Sequence, residues 1–148
     1  MIITRMVEAD IEDLMRDIYP VYFQESAYNG LTPDYEISRI TGHDYLNSSS
    51  FVARDGDRIV AIAVADAGRT FYKEIEFDIN MFYVHPEYRG RGVARLMRDT
   101  LKDEWERVGA KVIYSSCLSG VEGLNEQLYM NLWSKVGFKK LGTVMIRI

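Results

Sequence analysis

The stretch from Glu74 to Val108 constrains this chain more than any other. Polar and apolar residues alternate from Glu74 to Val84, which predicts a half-buried strand ending at Pro86. After a short loop, Val93, Leu96, Met97, Leu101, Trp105 and Val108 fall on one face of a helix that begins near Gly92 and stops at Gly109. The two elements are joined by His85-Pro86-Glu87-Tyr88-Arg89-Gly90-Arg91-Gly92. Glycines at this junction leave backbone N–H groups free to converge on an anion at the positive end of the helix dipole. The guanidinium groups of Arg89 and Arg91 favour the same ligand, read here as a pyrophosphate. A Walker A loop is ruled out, because Val93-Ala94 stand where Lys-Ser/Thr is needed. A Rossmann fingerprint would need Gly or Ala where Arg95 stands.

Composition narrows the class. With 148 residues, of which 47% are hydrophobic, the chain has the material for one core and is expected to form a single domain over 1–148. A net charge of −4 argues against general binding to nucleic acid or to anionic membranes. The lone Cys117 excludes an internal disulfide framework and fits a reducing compartment. No apolar run approaches the ~18 residues of a membrane span. The start, Met1-Ile2-Ile3-Thr4-Arg5, is too short and too soon charged for a signal peptide, so the expected location is cytoplasmic. Two widely separated histidines and one cysteine make no zinc pattern, and no metal is expected.

Along the chain, Ile2 to Met6 reads as a first strand. Asp10 reads as an N-cap with Asp13 completing a capping box, followed by a helix carrying Ile11, Leu14, Met15, Ile18 and Tyr22. Thr32-Pro33 predicts the start of a second helix that frays near Gly42. Asp55-Gly56-Asp57 between apolar runs predicts a hairpin. Val112 to Ser116 reads as a short buried strand. Leu124, Leu128, Leu132 and Val136 mark a last helix stopped by Gly137, and Lys139 to Ile148 reads as one strand or a tight pair.

The glycine loop resembles motif A of the GNAT superfamily, the acyl-coenzyme A N-acyltransferases. Arg89, Gly92 and Ala94 meet its Arg/Gln-x-x-Gly-x-Gly/Ala pattern, and Val84-His85-Pro86 is its usual lead-in. The elements before and after fall in that family's order. The resemblance implies an α/β fold, a central mixed sheet with helices on both faces. It implies acetyl-CoA as acyl donor and direct attack by a primary amine, more readily a small molecule than a protein lysine or N-terminus. The short tail departs from many members, so the last strand is missing, short or supplied by a partner, which leaves a homodimer open.

Site residues are implied by the same resemblance. Arg89, Gly90, Arg91, Gly92, Val93 and Ala94 would hold the cofactor's pyrophosphate. Phe82, Tyr83 and Val84 would pair through their backbone with its pantetheine arm, a main-chain N–H near Val84 facing the thioester. Glu74, Glu76, Asp78 and Asn80 share one strand face, either a solvated face or, for Asp78 with Asn80, the groups that orient the amine and take its proton. Trp133 stands where the family's Tyr would protonate the departing thiolate, and an indole cannot act as that acid. Tyr129, one helical turn earlier on the same track, is either the acid placed to take that role here or an ordinary packing residue, while Trp133 and Asn125 are expected against the cofactor. Arg95, Arg98 and Lys102 either meet its 3′-phosphate or form a solvated face. His43 and His85 read as surface or structural. Tyr19, Tyr22, Phe23, Tyr28, Tyr35 and Tyr45 suggest either core aromatics or a wall for a ring-bearing amine. Loss of the family Tyr also leaves open a non-catalytic acyl-CoA-binding module.

Overall fold

The computed structural model describes residues 1–26, 31–115 and 126–142. Their order is β1 (Ile2–Arg5), α1 (Asp10–Asp17), α2 (Tyr19–Glu25), α3 (Tyr35–Tyr45), β2 (Ser49–Asp55) and β3 (Arg58–Gly68). Then come β4 (Ile75–Val84), a 3-10 turn (Pro86–Tyr88), α4 (Val93–Arg107), β5 (Ala110–Ser115) and α5 (Glu126–Ser134). The strands form one mixed sheet in the order β1-β2-β3-β4-β5. The first four are antiparallel, and β4 and β5 are parallel with α4 as their crossover.

Helices cover both faces, so the central strand β3 is buried on both sides from Ile59 to Ala65. On one face Ile11, Leu14, Ile18 and Tyr19 of α1 and α2 pack on Val52, Ile62 and Tyr83. On the other, Val93, Met97, Leu101 and Trp105 of α4 join Tyr129 and Trp133 of α5 over Phe77, Ile79 and Phe82. The helical spacing of the motif helix is therefore borne out, except that Leu96 lies half exposed. No described helix is long and apolar enough to cross a membrane.

Several local expectations change. The first helix is two helices, broken at Ile18, because Pro20 in the first turn of α2 has no N–H to continue the ladder. Asp10 is not the N-cap, which falls on Ala9. Its carboxylate accepts from Val7 N at 2.8 Å and from Arg54 at 2.6 Å. Asp13 meets the same Arg54 at 2.6 Å, so the expected capping-box pair instead ties α1 to β2. α3 is capped by Asp34, whose Oδ1 accepts from Glu36 and Ile37 at 3.0 Å, and it runs on to Tyr45. The hairpin forms as expected, with Gly56 at φ +60° in its turn. Residues 139–142 are not strand, and the rest of the expected last strand lies outside the described residues.

The far end of α4 is pinned to the sheet by the buried Glu104. It accepts from Arg5 of β1 at 2.8 Å, Ser49 of β2 at 3.0 Å and Arg107 at 2.7 Å. These donors, Arg107 first, outweigh desolvation and hold its carboxyl at about 2. A depressed acid stabilises the fold above its unfolded value and loses that contribution as pH falls towards the folded one. Arg5 and Arg107 are 49% and 64% exposed, so solvent screening reduces the effect. Glu104→Gln is expected to cost ~1–2 kcal/mol at pH 7. The difference from wild type should shrink between pH 4.5 and about 2, as read by urea unfolding at each pH.

Candidate active site

The site is organised by β4, which changes partners half-way. Against β3, Val64 pairs with Met81 and Ala65 with Ile79, so Asn80 is an extra residue, a β-bulge. The bulge reverses the facing of the strand beyond it. Phe77 and Ile79 point to the α4 face, and so do Phe82 and Val84, while Met81 and Tyr83 face α1 and α2. The unbroken alternation expected from Glu74 to Val84 is corrected accordingly. It holds only to Asn80, and the strand begins at Ile75.

On its other side β4 pairs with β5 from Ile75 to Ile79, the last pair being Ile79 with Ser115. The described part of β5 ends there, and no described strand pairs with that edge of Asn80 to Val84. Tyr129 Oη lies 2.8 Å from Ser115 Oγ, which puts the phenol at the end of that pairing. Phe82 meets Tyr129 and Trp133 edge-on at 6.3 and 5.2 Å. Trp133 is buried, and its indole N–H has no partner among the described residues. An unmatched buried donor of this kind calls for a ligand acceptor or a bound water.

The glycine loop comes next. Gly90 and Gly92 adopt φ +77° and +83°, with open space where a Cβ would stand. Gly92 is the N-cap residue of α4 and supplies no side-chain cap, unlike Asp34 of α3. The first bond into the helix is Leu96 N to Gly92 O at 3.2 Å, so the N–H groups of Val93, Ala94 and Arg95 precede the intrahelical ladder. A 15-residue helix dipole points its positive end at that opening. These residues fit a phosphate group.

The two loop arginines differ. Arg89 is held bidentately by Glu25 at 2.7 and 2.9 Å, donates to Val84 O at 3.0 Å and lies over the Tyr83 ring. Tyr83 also donates its hydroxyl to Glu25. Burial raises the Glu25 carboxyl, yet the bonds from Arg89 and Tyr83 outweigh it and hold the group below the ordinary range. The Arg89 guanidinium thus fastens the loop to α2. Arg91 is exposed over Tyr88 and makes no ion pair among the described residues. His85 is buried, its Nδ1 facing Glu87 N at 3.2 Å and its Nε2 beside Arg58 at 2.8 Å, a structural cap. Arg98 is also buried and donates to Leu132 O at 2.9 Å, so it joins α4 to α5 instead of extending a basic face.

Before the bulge, on the opposite sheet face to Tyr129, Asp78 sits directly across from Asp66. Both line a cleft of about 240 Å³ with Glu76 and Tyr114. Partial desolvation, then the negative charges of Asp66 and Glu76, push the Asp78 carboxyl above the ordinary range. Asn80 Nδ2 donates to Asp66 Oδ2 at 2.6 Å, and Ser48 donates to the other oxygen at 2.5 Å. A second cavity, of about 260 Å³, opens on the far side of Asn80 beneath α2 and α3. Glu25, Asp66 and Ser115 are site residues that the sequence did not single out. Asp66 alone left a trace, as the first charge after the apolar run Ile59 to Ala65. Asn125, Tyr28 and Cys117 lie outside the described residues.

A mixed sheet whose fourth strand leads into an uncapped, glycine-opened helix thus places an anion-binding opening beside the end of the β4–β5 pairing. The family model described as "Acetyltransferase (GNAT) domain" matches residues 47–140. The chain belongs to that family and is an N-acetyltransferase. Among solved structures it is similar to AAC(6')-Iy, held with a bisubstrate analogue of CoA and acetylneamine. That likeness has 16% identity and TM-score 0.71, over 99% of this chain and 96% of that one. It is similar to an aminoglycoside acetyltransferase from an uncultured soil metagenomic sample, with 21% identity and TM-score 0.68 over 99% and 97%. It is also similar to glucosamine-6-phosphate N-acetyltransferase from Arabidopsis thaliana, with 13% identity and TM-score 0.72 over 99% and 97%. No curated protein matches the chain.

If the free amides of α4 hold the cofactor, charge at their mouth should block it. Asp and Asn both tolerate a left-handed backbone better than other side chains. Gly92→Asp is expected to lower CoA affinity by at least 100-fold in calorimetry, and Gly92→Asn by clearly less, with both variants melting cooperatively. Equal losses would assign the effect to backbone strain.

Proposed function

We propose that this chain transfers an acetyl group from acetyl-CoA to a primary amine of a small molecule, both bound at once. One observation carries the reading: at the end of the β4–β5 pairing lie a strand edge that no described strand covers, a raised carboxylate on one sheet face and a phenol on the other. Acetyl-CoA supplies a thioester carbonyl, to which the amine nitrogen bonds as the carbon–sulfur bond breaks.

The chain's own residues hold, orient and move protons. The N–H groups from Gly92 to Arg95 take the pyrophosphate, with Gly90 giving the turn and Arg91 a nearby positive charge outside any described ion pair. Arg89 positions this loop through Glu25. On the edge of β4 away from β3, the Phe82 backbone and the Val84 N–H would pair with the pantetheine amides, the Val84 carbonyl being held by Arg89. The Trp133 N–H would offer a further donor. Asn80, fixed by Asp66, orients the amine. Asp78 accepts the proton that the nitrogen sheds on forming the amide. Tyr129 delivers its proton to the leaving sulfur and recovers one from solvent, so the products are the N-acetyl amine and free CoA thiol. Base and acid on opposite faces cannot neutralise each other.

Asp78→Asn is expected to lower turnover by ~10²–10⁴-fold with CoA affinity unchanged. Because a raised carboxyl protonates earlier as pH falls, kcat/KM should show a second acid break, beyond the one set by protonation of the amine itself, above the ordinary Asp value of ~3.9, and this break should vanish in the variant. An unchanged pH profile would remove Asp78 from the mechanism. Tyr129→Phe should cost ~10–100-fold in kcat, since a thiol of pKa ~8.5 needs only modest help to leave. Trp133→Phe should act through stability or cofactor affinity instead. A thiol-release assay separates these outcomes.

A further inference from the structure

The cavity beyond Asn80 carries a chemical signature of its own. Five aromatic rings line it: Tyr19, Tyr22, Phe23, Tyr45 and Tyr83. Met81, Ile37 and neutral hydroxyl side chains complete it, and no charged residue is among its described lining. The site's acids lie on the other side of the Asn80–Asp66 pair. At about 260 Å³ it is small beside the ~300–1,000 Å³ of most ligand pockets.

Two of its phenols are under-used. Tyr19 is 4% exposed, and its hydroxyl has no hydrogen-bond partner among the described residues. Among the described residues Tyr45 donates to the thioether of Met81 alone, at 3.4 Å, and a thioether is a weak acceptor. Burial pushes both phenols up, Tyr45 to about 12, so each stays a proton-bearing donor. A buried donor without a proper acceptor is costly, and a ligand that supplies one relieves that cost.

Resting on the acetyltransferase reading above, we infer that the acceptor is a monoamine with one compact aromatic body carrying a hydrogen-bond acceptor. The amine lies at the Asp78–Asn80 end and the body lies among the rings, its oxygen read by Tyr45. This differs from the polycationic aminoglycosides named for two of the structural neighbours. One ammonium group can lie against aromatic faces, but several primary ammonium groups would each give up hydration that a few hydroxyls and no carboxylate replace poorly.

The test measures kcat/KM with acetyl-CoA for tyramine, 2-phenylethylamine and neamine, alongside calorimetric binding of each amine in the presence of CoA. Tyramine should exceed 2-phenylethylamine by about 10-fold or more, and neamine by over 100-fold. Tyr45→Phe should erase the first ratio by raising KM for tyramine. If that variant misfolds, the calorimetric affinities of tyramine and 2-phenylethylamine for the wild-type protein decide the same point, a ratio near one overturning the inference. Neamine preferred over both arylalkylamines would overturn the inference and leave the acetyltransferase reading intact. Arylalkylamines that bind in this order without thiol release would uphold the cavity's specificity and fail the catalytic reading instead. Failure of both to bind or turn over overturns the inference.

Discussion

β4 carries the site, because a bulge lets one strand serve both cores. Up to Ile79 it is paired with β3 on one side and β5 on the other; from Asn80 to Val84 the described residues pair it with β3 alone. Backbone groups inside a sheet are costly unless something pairs with them. The bulge at Asn80 follows the last described pair of β4 with β5, and it turns the strand so that Phe82 joins the α4 core while Tyr83 joins the α1 core. Both faces of the strand end are thereby anchored, with Asp78 and Tyr129 on opposite faces of the sheet.

The glycine loop extends the same strand into a second constraint. A helix that starts on a left-handed glycine has no side chain to satisfy its first amides. The fold supports the loop from behind, with His85 capping the turn and Glu25 gripping Arg89 and Tyr83. Because Tyr83 also lines the aromatic cavity, one carboxylate links that cavity to the glycine loop. The Arg89 charge, expected from sequence on the pyrophosphate, is committed to this scaffold, and Arg91 remains outside it.

What the sequence made legible was local. The hairpin at Gly56, the helix from Val93 and the loop between β4 and α4 are set by adjacent residues, and so was the family to which the chain belongs. The bulge was hidden because it is defined by the register of the opposite strand, while polarity alternates smoothly through Asn80. The tie from Arg89 to Glu25 spans 64 positions, and no spacing within either segment announces it. Asp10 and Asp13 had the pattern of a capping box, yet Arg54 from β2 captured both carboxylates. Asp34, not the neighbouring Thr32-Pro33, won the cap of α3 because its carboxylate reaches two free amides. Tyr129 is placed at the end of the β4–β5 pairing by Ser115, a residue with no distinguishing neighbours in sequence.

The central claim is that the edge of β4 away from β3 and the uncapped start of α4 form one cofactor groove. Titrating CoA into isotopically labelled protein and following backbone amides by NMR tests it directly. The largest shifts are expected, saturating together, at Val93, Ala94 and Arg95 and along Asn80 to Val84. Shifts confined elsewhere, or a response of the helix amides without the strand edge, would contradict it.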